Sequence, residues 1–317
     1  VRTSYTYEPS IFLKWKMSRV RNMDISFAYN TSVPDFISTL GYRDTTDPLS
    51  VSTGNPLLHK SHSHTTTYNY HRMWLRKQIV LGLNVSYNKD INPIATLYRY
   101  NSTTGAYESK PMNVKGGNMW KFGVNYDQGI GVYFRLMNKF KVLTSKSYGF
   151  LTIVDNNDPN AVPDLNLQKR LGIDENIDLS YEAEKVQLTL FNDLQWNRYR
   201  YDDNTYNSSP LYNSLGISVR LKLSPFEMYI RLSDDFRKGY ATSDMNGHKL
   251  MSMASISYGF CKNKCRLSLF VDDIFNNDIW YDNNYSAFQR TETTTNYMHH
   301  YANLKFSYRF DAKAKKK

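Results

Sequence analysis

The chain has 317 residues, of which 41% are hydrophobic, 15% aromatic and 22% charged, with 26 Tyr, two Cys and a formal net charge of +11. A mean hydropathy of −0.59, with no apolar run of about 18 residues, excludes a helical membrane protein, and the aromatic load excludes a disordered chain. Two cysteines exclude a disulfide framework and a four-ligand zinc centre built on thiolates.

At the start, Val1 is preceded by no basic stretch, apolar core and small-residue cleavage site, so a mature product or a fragment is expected. From there one pattern recurs. Ile25, Phe27 and Tyr29 alternate with polar neighbours, as do Ile79, Leu81, Leu83, Val85 and Tyr87, then Trp120, Phe122, Val124 and Tyr126. Leu215, Ile217, Val219, Leu221 and Leu223 repeat the pattern, followed by Phe226, Met228, Ile230 and Leu232, and by Leu304, Phe306, Tyr308 and Phe310. Period two sets one residue class on each face of a β-strand, and no segment offers a comparable 3.6-residue stripe. The fold class is all-β.

Short polar joints at 19–22, 75–77, 127–130, 182–185, 224–225 and 262–264 alternate with longer polar stretches at 31–63, 101–105, 155–163, 202–205, 238–248 and 281–295. Tight turns at one end and long loops at the other predict an antiparallel up-and-down transmembrane β-barrel, with periplasmic turns and extracellular loops. About 13 strands fit, longer than the roughly 9–11 residues that span lipid at a tilt. Tyr and Trp near strand ends, namely Trp15, Tyr29, Trp74, Tyr87, Trp120, Tyr126, Trp196, Tyr258 and Tyr308, are expected to form interfacial girdles. An odd strand number does not close as a bacterial single-chain barrel, so residues 1–310 are expected to be part of a larger one, with 311–317 a basic tail.

Three segments resemble one family, the TonB-dependent receptors, in the style of the outer-membrane β-barrel branch found in Bacteroidetes. Residues 33–70 run from a strand through a proline and a loop into Gly54, Asn55, Pro56, Leu57 and Leu58, a GNP-x-L motif that leads back into a strand. The stretch VDDIFNN at 271–277, with Asp273, Phe275 and Asn276, resembles the penultimate-strand signature. The ending YANLKFSYRF resembles the final strand with its terminal aromatic, Phe310. The motif departs from the usual continuation at His59, Lys60 and Ser61, and the basic tail runs past the terminal aromatic.

The resemblance implies a 22-strand barrel, of which this chain would be about the C-terminal half, importing a nutrient across the outer membrane. It also implies a plug and an N-terminal peptide, both outside these residues, that engage a TonB-type energy transducer. A surface lipoprotein is a further expected partner. The alternatives are a passive pore, an adhesin or a structural barrel without a plug, and a soluble β-rich binding protein.

Other residues point less sharply. His59, His62, His64 and His71 lie at the end of the longest loop, with His62 and His64 on one strand face; no Cys or carboxylate at fixed spacing completes a metal site. Asp155, Asp158 and Asp164 lack the EF-hand spacing and read as a polar loop. Cys261 and Cys265 flank Lys-Asn-Lys, a three-residue turn that would bring them within disulfide reach, against two free thiols. No glycine-rich phosphate loop or nucleophile elbow occurs, so neither an enzyme nor a cofactor is expected. Lys and Arg are scattered over turns, strand faces and the tail, which argues against nucleic acid and for the anionic head groups of outer-membrane lipid and lipopolysaccharide, or an anionic cargo.

Overall fold

A computed structural model describes residues 5–151, 153–154, 164–202, 204–262, 264–276, 280–285, 290–295 and 300–310. Asp155, Asp158, Asn277 and the tail at 311–317 lie outside the described residues. In chain order the strands are β1 (Ser10–Ser18), β2 (Arg21–Ser32), β3 (Arg43–Asp44), β4 (Ser50–Thr53), β5 (Ser61–Trp74), β6 (Ile79–Ile91) and β7 (Ile94–Asn101). There follow β8 (Ala106–Asn113), β9 (Asn118–Ile130), β10 (Phe134–Phe150), β11 (Ile153–Val154), β12 (Leu165–Glu182), β13 (Val186–Tyr201) and β14 (Leu211–Leu223). The last six are β15 (Phe226–Lys238), β16 (Gly247–Phe260), β17 (Cys265–Asp272), β18 (Trp280–Tyr285), β19 (Arg290–Thr295) and β20 (Tyr301–Tyr308).

Thirteen of these strands form one antiparallel meander, in the order β1-β2-β5-β6-β9-β10-β12-β13-β14-β15-β16-β17-β20. Among the described residues, β1 and β20 each pair on one side only. Tight connections lie at one end, at 19–20, 75–78, 131–133, 183–185, 224–225 and 261–264. The long connections all lie at the other. The expected strand number and the asymmetry of the two ends are both present. β12 has 18 residues, far more than a bilayer needs, so the loop end stands well clear of the apolar belt.

The register carries one apolar face across the sheet. Leu13 pairs with Ile25, Ile25 with Tyr68, Tyr68 with Val85, Val85 with Phe122, Phe122 with Val142 and Val142 with Ile173. All nine girdle candidates fall on this face by register. At the loop end Tyr87 lies 4.4 Å from Trp120, centroid to centroid, and His64 sits between Phe27 and Tyr87 at 6.2 and 5.8 Å. At the turn end Phe134 lies 5.2 Å from Tyr181 and Phe226 5.0 Å from Tyr258. His64 and Trp74 are ten residues apart on β5. That is about 33 Å along a strand, or about 25 Å at a tilt of about 40°, the height of a lipid-facing belt.

The opposite face is polar and locally bonded. Asn69 donates to Asp24 at 2.7 Å and Asn84 donates to Asn69 at 2.5 Å, a chain across β2, β5 and β6. Phe191 is buried on this face over Gly216, where a Cβ would lie 2.3 Å from its ring and 2.5 Å from the Leu232 carbonyl oxygen. Glycine there leaves room for the ring to lie on the sheet, and the Arg231 guanidinium stacks 3.8 Å above it.

Two expectations change. Residues 127–130 are not a turn: all four pair within β9 and β10, and Arg135 holds Asp127 with two hydrogen bonds of 2.9 and 2.6 Å. The chain reverses one step later, where Gly131 takes the left-handed backbone. The stretch at 101–105 is the tip of a separate hairpin, β7–β8, which joins β3, β4 and β11 in a small mixed sheet with parallel β4–β8 and β11–β7 pairs. Across the turn at 261–264, Cys265 pairs with Phe260, and Cys261 and Lys262 take a left-handed backbone. Both cysteines are thiols in the structure, and the turn brings their side chains within hydrogen-bonding reach of each other, as the three-residue spacing predicts.

Candidate functional site

The motif residues named from sequence bind loops together. Gly54 donates its N–H to the Tyr42 carbonyl at 3.0 Å, and a Cβ at this position would lie 1.9 Å from the Leu40 carbonyl oxygen. The main chains meet too closely there for any side chain. Asn55 donates its N–H to Ser38 at 2.7 Å, its side-chain amide to the Pro111 carbonyl at 2.9 Å, and accepts the Leu57 N–H at 3.0 Å. Pro56 and Leu57 complete the turn and Leu58 is buried. Next to it, Asn113 accepts the His59 N–H at 2.8 Å and donates to the carbonyls of His59 and Asn92. The GNP segment is therefore a latch between the 33–60 loop and the β7–β8 hairpin.

Asp273, 1% exposed and left-handed in backbone, opens a turn at the end of β17. Its carbonyl accepts the Asn276 N–H at 3.0 Å and lies 2.7 Å from His300 Nδ1. Asn276 is also left-handed, and Phe275 is half exposed. Phe310, 84% exposed, stacks edge-on against Tyr308 at 4.4 Å, two residues past the end of β20. The histidines separate. His62 stacks on Tyr29 and contacts Thr31, His64 joins the aromatic girdle, and His71 pairs on the polar face with Asn22 and Gly82. Among the described residues no three His, Cys, Asp or Glu side chains converge on a metal position. Asp164 is exposed ahead of β12.

The densest polar construction lies where sequence reasoning saw only a polar loop. The β18–β19 hairpin folds back onto the polar face of β13–β16 at the loop end. Tyr285 stacks on Tyr199 of β13 at 4.4 Å and 16°, and Tyr201 completes a buried aromatic cluster. Tyr281 lies under two cations, Arg237 at 5.0 Å and Lys249 at 4.4 Å; Lys249 donates to its hydroxyl at 2.7 Å, and that hydroxyl donates to the Asp244 carbonyl. Arg237 also stacks on Tyr212, whose hydroxyl donates to Asp235 at 3.0 Å.

Glu292 of β19 ties the hairpin down. One oxygen accepts the Ala241 N–H at 3.1 Å, the Tyr285 hydroxyl at 3.0 Å and two Arg290 donors at 3.1 and 2.8 Å. The other accepts the N–H and hydroxyl of Thr242 at 3.0 and 3.1 Å. The side chain is 6% exposed. Burial alone would raise its pKa, but these donors outweigh it and hold the carboxyl at about 2. Burial pushes the Tyr285 phenol up to about 12, so it stays a donor. The only local sign of Glu292 in the sequence is a lone carboxylate in a run of threonines.

Below this vestibule the polar face has an open pit of about 360 Å³, lined by Met137, Asn176, Asp178, Asp193 and Arg231 among others. At the turn end, a groove of about 920 Å³ carries Lys222, Lys264, Arg266 and Arg309, with Glu227 between Arg220 at 3.6 Å and Arg266 at 3.2 Å. Aromatic faces, guanidinium groups and amide side chains along one wall suit reversible binding of an oxygen-rich solute by stacking and hydrogen bonding. A model of the outer membrane protein β-barrel family matches residues 3–161, half of the chain, including the latch and the strands from β1 to β10. No curated protein matches the sequence.

Proposed function

The chain belongs to the outer membrane protein β-barrel family, and from that premise we propose that it forms part of a receptor that imports a nutrient with energy from the inner-membrane TonB system. Its place is the bacterial outer membrane. The observation that supports import is the wall opposite the lipid face. It is polar along its length and overhung at the loop end by the β18–β19 hairpin, which Glu292 and Tyr285 anchor. The resemblance of the Gly54–Leu58 latch and the Asp273–Asn276 turn to those of TonB-dependent receptors supports the energised form over a passive one. In this reading a plug and an N-terminal peptide encoded outside these residues meet the energy transducer, and a surface lipoprotein assists capture. The barrel binds and passes solute; it makes and breaks no covalent bond.

The test is genetic. Deleting the full-length gene and deleting the energy transducer should abolish uptake of the same member of a nutrient panel of glycans, peptides and iron chelates. Uptake that survives loss of the transducer, together with steady conductance of the purified full-length protein in planar bilayers, would replace this reading with a passive pore. An intact uptake panel with a lost surface-attachment phenotype would replace it with an adhesin or structural barrel.

A further inference from the structure

Just beyond the loop-end girdle, the lipid-facing side of the sheet changes from apolar to cationic within one row. Lys146 of β10 pairs directly with Lys169 of β12, and Lys169 pairs directly with Arg200 of β13. On the other side Lys146 pairs with Asn118, which pairs with Lys89 of β6. Arg198 lies one row nearer the belt, opposite Leu171. All five cations are exposed, whereas Gln168, Tyr199 and Tyr201 on the reverse of the same strands are buried. Among the described residues none of the five is in an ion pair. The next residue of this face, Asp202, accepts the Leu167 N–H at 3.1 Å.

Like charges set directly opposite on neighbouring strands repel, at Cα separations of about 5 Å. Such a row is stabilised when one anion with several oxygens bridges the cation tips. The row beneath decides what carries that anion. Trp120 and Phe122, 49% and 43% exposed, together with Leu171 and Ile173, present an apolar surface directly below the charges. A molecule that satisfies both rows has a phosphate at the top and acyl chains underneath.

We propose that Lys89, Lys146, Lys169, Arg198 and Arg200 form a docking site for the phosphorylated head group of an outer-leaflet glycolipid, whose acyl chains lie on the Trp120–Phe122 surface. The site is on the outside of the barrel and rests on the membrane location, not on the import reading, so either stands if the other fails.

The full-length protein, purified in detergent and stripped of lipid, is titrated with bis-phosphorylated lipid A, with dephosphorylated lipid A and with inorganic phosphate. Tight, salt-sensitive binding is expected for the phosphorylated lipid only. The triple variant K146Q/K169Q/R200Q should bind it about a hundredfold more weakly, each cation being worth a factor of about five. The pair K121Q/K141Q, cations on the polar face of β9 and β10, should bind like the parent. If the triple variant does not fold, K169Q alone should show a loss of about fivefold. Equal binding of the dephosphorylated lipid, effective competition by inorganic phosphate, or unchanged binding in the variants would each overturn the proposal.

Discussion

Gly54 shows how a motif residue earns its place by contact geometry. Its backbone angle is ordinary, but the Leu40 carbonyl occupies the space of a Cβ, so Gly54→Ala forces the 37–42 and 54 segments of the 33–60 loop apart and shifts Asn55 next to it. Asn55→Ala leaves the Pro111 carbonyl and the Leu57 N–H without their partner, at about 1–3 kcal/mol. Both variants should still insert, while limited proteolysis within residues 33–60 accelerates at least about tenfold. Unchanged proteolysis would remove the latch assignment. Glu292 makes a pH-dependent counterpart. Its folded pKa of about 2 lies below the ordinary glutamate value of 4.5, so its contribution is complete above about pH 4.5 and is lost as pH falls through about 2. Hydrogen exchange in β18 and β19 should therefore stay protected from pH 7 to about 4 and rise steeply towards pH 2. Glu292→Gln should expose the hairpin at every pH.

At the scale of strands, the two faces of the sheet make opposite demands. Leu83 lies in mid-belt on the apolar face, between Tyr70 and Val124, and Ser86 lies on the polar face opposite Thr67 and Lys121. Leu83→Arg should destabilise the folded protein in bilayers by about 2–4 kcal/mol, read from urea unfolding, and Ser86→Arg by less than about 1 kcal/mol. Equal effects would mean that the faces are misassigned. Period two located these strands because every second side chain meets lipid, and that demand acts residue by residue. It did not locate the turn between β9 and β10, because Asp127 and Gln128 look like turn residues while Arg135, eight positions on, satisfies Asp127 inside the strand pair. Nor did it separate the β7–β8 and β18–β19 hairpins from the loops that contain them. Their strands face loop and polar wall rather than lipid, so their alternation is weak.

For the whole molecule, the meander leaves β1 and β20 paired on one side each among the described residues. Unpaired N–H and C=O groups along such an edge associate with other edges when no partner strand covers them. The 317-residue chain by itself in detergent is therefore expected to form dimers and larger species through β1 and β20. Analytical ultracentrifugation showing a monomer with a sharp thermal transition would contradict this. Part of the positive charge gathers at three places: the turn-end groove, the vestibule and the row above the girdle.

The strand class, the strand number, the two unequal ends and the shared face of the nine aromatics were all legible in the amino-acid order. They follow from one local requirement, that alternate residues meet lipid and water over a fixed depth. The latch at Gly54 and Asn55 was legible as a motif, but not as a contact with Pro111, 56 residues away. The vestibule around Glu292, Tyr285 and Tyr199 and the cation row from Lys89 to Arg200 were decided only by tertiary structure. Both bring together residues far apart in the chain, through strand register and loop folding, and no local pattern encodes which distant side chain will stand opposite.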